Sequence, residues 1–349
     1  ININEGKFPI MEISEISFKD IAGQNKVKEN LKEIIKILKK PHLLEHFKIE
    51  MPKGMLLYGP SGVGKSLLVK AFTKEANLQY IKVSGSDLFD PFYLHSVYEK
   101  AKEYSPCIVI LEKIDIKGIV DGVITGIPSD WLLSEFEAVK NYNVFTVATV
   151  NKKEEIDPEI IAQGKLEIHI EVPALDKEAR RFYINKILEK PHDAKINVDR
   201  VGHYISGMNG DDLERLGKET SLAAIRNNQD YITEEILIEQ INIIKYGTKL
   251  EGNKLKNFEE DLKRTAYHEA GHAVLSFILR PEILIEQVTI SPRSESLGFV
   301  SYKIEDYLEN VSKEEIMNNI CVLLAGRISK IKKFGKSGLE SGSMNDLEQ

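Results

Sequence analysis

GMLLYGPSGVGKSLLVKAFTKEA, residues 54–76, decides the fold of this chain. Its opening, Gly54–Tyr58, is a short apolar run that fits a buried strand, and Leu67–Ala76 carries helical spacing. Between them Gly59, Gly64, Lys65 and Ser66 satisfy G-x-x-x-x-G-K-[ST], the pattern of a phosphate-binding loop. Each residue type has a task there. Glycines let backbone N–H groups converge on an anion, and the helix N-terminus adds its positive end. The lysine reaches the terminal phosphates, and the serine hydroxyl is offered to magnesium. Gly59, Pro60, Ser61, Gly62, Val63, Gly64, Lys65 and Ser66 are therefore the candidate nucleotide cradle.

The pattern around this stretch is α/β. Val27–Leu38 has helical spacing and ends before Pro41; Gln79–Val83 reads as a strand and Ser96–Glu103 as a helix. Cys107–Leu111, Val144–Val150 and Leu166–Val172 are further strands without alternation, as in a parallel sheet covered on both faces. Residues 1–15 show no periodicity and read as a leader, so the α/β domain spans 16–173. Lys177–Leu188, Gly210–Ile225 and Glu234–Lys245 are amphipathic helical stretches and make 174–248 a small helical domain. Linker composition follows at 249–257. The last domain, 258–349, is mainly α, with a strand at Gln287–Ile290 and a helix at Lys313–Lys330.

The bounds from composition are broad. A chain of 349 residues is expected to form two or three domains, with 42% hydrophobic and 29% charged residues as in ordinary soluble proteins. A net charge of −7 gives no global basic field for nucleic acid, and the lysine runs Lys36–Lys40 and Lys330–Lys336 read as solvated faces. Cys107 and Cys321 both lie in apolar stretches and read as buried free thiols. No apolar run approaches the roughly 20 residues that span a bilayer. The chain starts at Ile1 rather than methionine, so it reads as a piece of a longer protein.

A second motif lies about two hundred residues downstream of the loop: HEAGH, His268–His272. On a helix, histidines four apart share one face and can bind one metal. Glu269 then points beside the metal, where it can take a proton from bound water. Ala266, Ala270, Ala273, Val274 and Phe277 supply an apolar helical pattern, and Pro281 follows its end. The other histidines, His42, His46, His95, His169, His192 and His203, lack ligand spacing.

The end of the Cys107–Leu111 strand departs from what phosphoryl chemistry asks. Acidic residues are expected there, one for magnesium and one for the attacking water. The chain has Glu112, Lys113, Ile114 and Asp115. Glu112 can serve magnesium through water, but Lys113 has no acceptor with which to orient a nucleophile. Its ammonium can pair with phosphates instead, strengthening binding while abolishing turnover.

With these motifs the chain resembles the FtsH family of AAA+ zinc proteases from about Phe18 onward. The resemblance rests on FKDIAGQNKVKENL (18–31), the loop within PKGMLLYGPSGVGKSLLVKA (52–71), VSGSD (83–87) and GMNGDDLERL (207–216). TAYHEAGHAV (265–274), VTISPR (288–293) and SGSMND (341–346) extend it. It implies a P-loop AAA+ domain with a parallel sheet, a helical lid and a mainly α zinc-peptidase domain. It also implies Asn151 as the γ-phosphate sensor and Asp346 as third zinc ligand beside His268 and His272, with Zn2+ and Mg2+–ATP as cofactors. Lys113 falls on the family's catalytic glutamate, and Ala162 and Lys165 fall on its two arginine fingers. Leu88–Tyr93 replaces the pore loop, shortened and without its glycine, though Phe89, Phe92 and Tyr93 keep it aromatic. A helix-borne glutamate pair falls on Lys330 and Ile331.

The resemblance further implies polypeptide substrates and a hexameric ring, homo- or hetero-oligomeric. Membrane attachment would run through a segment outside this chain, with the domains here in cytoplasm or organelle matrix. Three readings follow: an ATP-dependent zinc endopeptidase, a peptidase with a nucleotide-locked AAA+ module, and a non-enzymatic ring scaffold.

Overall fold

The computed structural model describes residues 8–120, 123–250, 258–294, 297–302 and 312–335. The chain divides into two compact units, Ile1–Ala179 and Arg180–Gln349.

The first unit is α/β. Its strands are β1 (Met11–Glu12), β2 (Gly54–Tyr58), β3 (Tyr80–Val83), β4 (Cys107–Leu111), β5 (Gly118–Val120), β6 (Val123–Thr125), β7 (Val144–Val150) and β8 (Ile168–Glu171). Helices α1 (Asn25–Leu38), α2 (Pro41–Phe47), α3 (Lys65–Ala76), α4 (Pro91–Glu103) and α5 (Ser129–Ala138) intervene. The main sheet runs β1-β3-β4-β7-β2-β8, while β5 and β6 form a separate hairpin. All pairs in the main sheet are parallel except β1 with β3.

Strands β4 and β7 are buried along their whole length because both faces are covered. Val109, Leu111, Val144 and Ala148 enter one core with Leu94 and Val97 of α4 and Leu132 and Phe136 of α5. Ile108, Ile110, Phe145 and Val147 enter the other with Leu31 of α1 and Leu68 and Phe72 of α3. Two facing layers explain why these strands are continuously apolar.

Two sequence expectations change here. The segment read as a leader contains β1, whose Met11 pairs with Ile81 at the sheet edge. A two-residue strand is too short to leave a periodic signal. Helix α4 begins at Pro91, five residues before the expected Ser96, because Asp90 caps it. The Asp90 carboxylate accepts hydrogen bonds from the N–H groups of Phe92 and Tyr93, both at 3.0 Å.

The second unit contains α6 (Lys177–Ile187, its first turn in unit one), α7 (Val198–Tyr204), α8 (Gly210–Arg226) and α9 (Glu234–Tyr246). Then come α10 (Phe258–Leu279), an antiparallel pair of β9 (Ile285–Thr289) with β10 (Phe299–Tyr302), and α11 (Lys313–Phe334). Asn209 with Asp212, and Ser312 with Glu315, form capping boxes that start α8 and α11. Arg293, 3% exposed, donates to Glu239 at 2.8 Å and to the Gly247 carbonyl at 3.1 Å. Tyr246 stacks on Phe299 with ring centroids 3.7 Å apart. These contacts pin the end of α9 to the β9–β10 segment.

Cys107 is buried as expected, but Cys321 is exposed on α11. Lys330 is also a correction: it is buried, not part of a solvated face. No helix among the described residues is long and apolar enough to cross a membrane.

Candidate nucleotide and metal sites

The nucleotide cradle forms where β2 turns into α3. Gly59 has φ 146° and its α-carbon lies against the Val172 carbonyl, where any side chain would overlap it. Gly64 has φ 92° and occupies the N-cap of α3. Lys65 opens that helix and is buried, and Ser66 beside it is exposed. The Lys65 ammonium donates to the carbonyls of Gly59 at 2.6 Å and Pro60 at 2.7 Å, and to Asn151 Oδ1 at 3.2 Å. Burial lowers the Lys65 pKa, Asp115 acts against that shift, and Lys113 adds to it.

The carboxyl end of β4 supplies the rest. The Lys113 backbone turns into the left-handed region, φ 56°, and its N–H donates to Thr149 Oγ1 at 3.0 Å. Asp115 Oδ2 accepts from the Asn151 N–H at 2.7 Å. Asp115, Asn151 and Lys65 thus form one chain of polar contacts at the carboxyl ends of the parallel strands, the usual place for ligands in such sheets. Glu112, expected to serve magnesium with Ser66, has Oε2 2.9 Å from Lys82 Nζ. One of its two carboxylate oxygens is engaged, so the donor set fits magnesium through the other oxygen and the Ser66 hydroxyl. Sequence reasoning missed Lys82 and gave Asp115 no role. Lys82 is a charge inside an otherwise apolar strand, which is a signal, but its partner depends on strand register.

The positions of the two missing arginines lie in the turn before β8, where the Lys165 N–H donates to the Ala162 carbonyl at 3.2 Å. In the shortened loop, Tyr93 is buried and Phe89 packs on Gly118, so of the three aromatics Phe92 alone is largely exposed, at 86%. The expectation that all three keep the loop aromatic is corrected to one.

In the second unit, His268 and His272 lie one turn apart on α10 with Nε2 atoms 3.1 Å apart. Two nitrogens on one tetrahedral zinc, each bonded at about 2.0–2.1 Å, stand about 3.3 Å apart, so the pair fits the metal. His272 Nδ1 donates to the Val322 carbonyl at 2.7 Å, which leaves its Nε2 lone pair for a metal. Glu269, between them in sequence, is 6% exposed. Helix α11 passes close by, and a side chain at Gly326 would overlap both imidazole rings. A Cβ on Gly271 would come within 2.5 Å of the Ala325 carbonyl, so the helices cross nearly backbone to backbone. Asp346 lies outside the described residues, and among those described no group of three metal-ligating side chains gathers.

The sequence comparisons agree with this architecture. Residues 55–174 match the ATPase family associated with various cellular activities, AAA, and residues 257–349 match peptidase family M41. The ATP-dependent zinc metalloprotease FtsH of Aquifex aeolicus is 32% identical over 362 residues, covering 99% of this chain and 57% of that protein. The protein of the same name from Thermus thermophilus is 32% identical over 355 residues, covering 97% of this chain and 56% of its own length. The Caulobacter vibrioides protein is 29% identical over 350 residues, with 96% and 56% covered. The chain thus spans a little over half the length of the curated relatives it matches.

Fold and motifs define the class: a P-loop AAA domain joined to a helical peptidase domain. The chain belongs to the FtsH family.

Proposed function

We propose that this chain is an ATP-binding zinc metalloendopeptidase that cleaves polypeptides. The observation that carries this reading is the histidine pair, with Nε2 atoms 3.1 Å apart and buried Glu269 between them in the helix. His268 and His272 hold zinc through Nε2, with Asp346 as the candidate third ligand. Bound there, zinc supplies Lewis acidity toward water and the peptide carbonyl. Glu269 takes the proton from the attacking water at its carboxylate and returns it to the leaving amine. In the AAA domain the loop Gly59–Ser66 and Lys65 bind the phosphates of ATP, Ser66 and Glu112 serve its magnesium, and Asn151 senses the terminal phosphate.

The FtsH relatives support a ring, hexameric and homo- or hetero-oligomeric, and membrane attachment through a segment outside the chain described. Both are part of the proposal, as is a location of these domains in cytoplasm or organelle matrix.

A second reading keeps the peptidase but makes the AAA domain a nucleotide-locked module. Lys113 at the position of the water-orienting acid favours it. Degradation of a loosely folded protein, with and without ATP and with and without a zinc chelator, separates the readings. ATP-dependent, chelator-sensitive loss supports the first. Chelator-sensitive loss indifferent to ATP supports the second. No loss at full zinc occupancy overturns both in favour of a scaffold.

A further inference from the structure

Glu112 does not face the phosphate site alone. Lys82 lies opposite Ile110 in the β3–β4 register, so Glu112, two residues on, shares its face of the sheet. That face is the one covered by α3, the helix that opens at Lys65. The Lys82 Nζ to Glu112 Oε2 distance is 2.9 Å, with 32% and 16% of the two side chains exposed. An ammonium therefore already sits in hydrogen-bond contact with the carboxylate that would serve magnesium. Lys113 follows at once, anchored through its backbone to Thr149. On the loop and at the carboxyl ends of β3 and β4, three ammonium groups (Lys65, Lys82 and Lys113) stand against two carboxylates (Glu112 and Asp115), a difference of one positive charge among these five. A bare polyphosphate suits such a balance, and a metal cation reaches a Glu112 whose charge Lys82 already shares, through the one oxygen left.

We infer that Lys82, with Lys113, supplies the counter-charge that magnesium ordinarily brings to the phosphates, so that nucleotide binding by this chain depends only weakly on the metal. This rests on the nucleotide-binding reading above. Magnesium still accompanies ATP in solution, but its removal costs little affinity. Lys82 is a specificity-determining residue: it sets which form of the nucleotide, metal-bound or free, the loop accepts.

The test is a titration of the intact chain with a fluorescent ATP derivative, in magnesium and in EDTA. For the wild type, Kd changes by less than about threefold between the two buffers. For Lys82→Met it rises at least about tenfold on removing magnesium, while binding in magnesium shows that the variant is folded. Lys82→Arg, which keeps the charge, retains the wild-type indifference. A wild type that loses tenfold or more in EDTA overturns the inference, as does a Lys82→Met variant as indifferent to metal as the wild type. No binding by the wild type in either buffer overturns the nucleotide reading and this inference with it; metal-dependent binding overturns the inference alone.

Discussion

His272 Nδ1 donates to the Val322 carbonyl at 2.7 Å, and this hydrogen bond from α10 to α11 fixes which imidazole nitrogen faces the metal. It exists because Gly326, one turn further along α11, leaves room for both histidine rings. Gly326→Ala should therefore push the helices apart and lower zinc affinity by about 10- to 100-fold, the usual cost of disturbing a ligand's supporting contacts. Metal analysis after dialysis against a weak chelator checks this. Retention of zinc at the wild-type ratio would count against the site.

Arg293 and Glu239 give a prediction on stability. Burial acts to raise the Glu239 pKa, but its bonds to Arg293 and Lys249 outweigh that and hold it below its ordinary value. A carboxylate lowered on folding contributes stability above its unfolded pKa, and that contribution is lost as pH falls through the folded value. Glu239→Gln, which leaves buried Arg293 without its charge partner, should cost about 1–3 kcal/mol near neutral pH. The cost should vanish in strong acid, where the wild type has lost the pair too. Thermal melts of both proteins across the acid range measure it; a constant difference would contradict the assignment.

The nucleotide site makes a kinetic prediction. Lys113 has no acceptor for a nucleophilic water, and Ala162 and Lys165 cannot replace guanidinium groups. The isolated chain should bind ATP yet turn it over orders of magnitude below the typical enzyme rate of about 10 per second. Lys113→Glu should raise turnover only in part, because the residues at 162 and 165 are unchanged. A phosphate-release assay decides; steady turnover by the wild type near that typical rate contradicts the role given to Lys113.

Much of the fold is legible in the sequence because its signals are local. Gly54–Tyr58, Cys107–Leu111 and Val144–Val150 are largely apolar runs that match strands residue for residue, since burial on two faces leaves few polar positions, Thr146 and Thr149 among them. The histidine pair is legible for the same reason: both ligands lie within one helical turn. What was hidden is either short or distant. β1 has two residues, and α2 and α7 have seven each, too few to establish a period. The start of α4 was written in Asp90 and Pro91, but the likeness to a pore loop masked that cap. The Lys82–Glu112 pair needs the register of two strands thirty residues apart. Burial of Lys330 needs the closeness of α11 to α10, which glycines at 271 and 326 permit and no hydrophobic pattern announces.

The central claim is that Glu269 works as a general base beside a zinc held by His268 and His272. The most direct measurement compares wild type and Glu269→Gln, at matched zinc content, in degrading a loosely folded protein. The amide keeps the shape but cannot accept the proton, so the account predicts unchanged zinc binding and a loss of cleavage of at least about 100-fold. Cleavage by Glu269→Gln at the wild-type rate, or no cleavage by zinc-replete wild type, would contradict it.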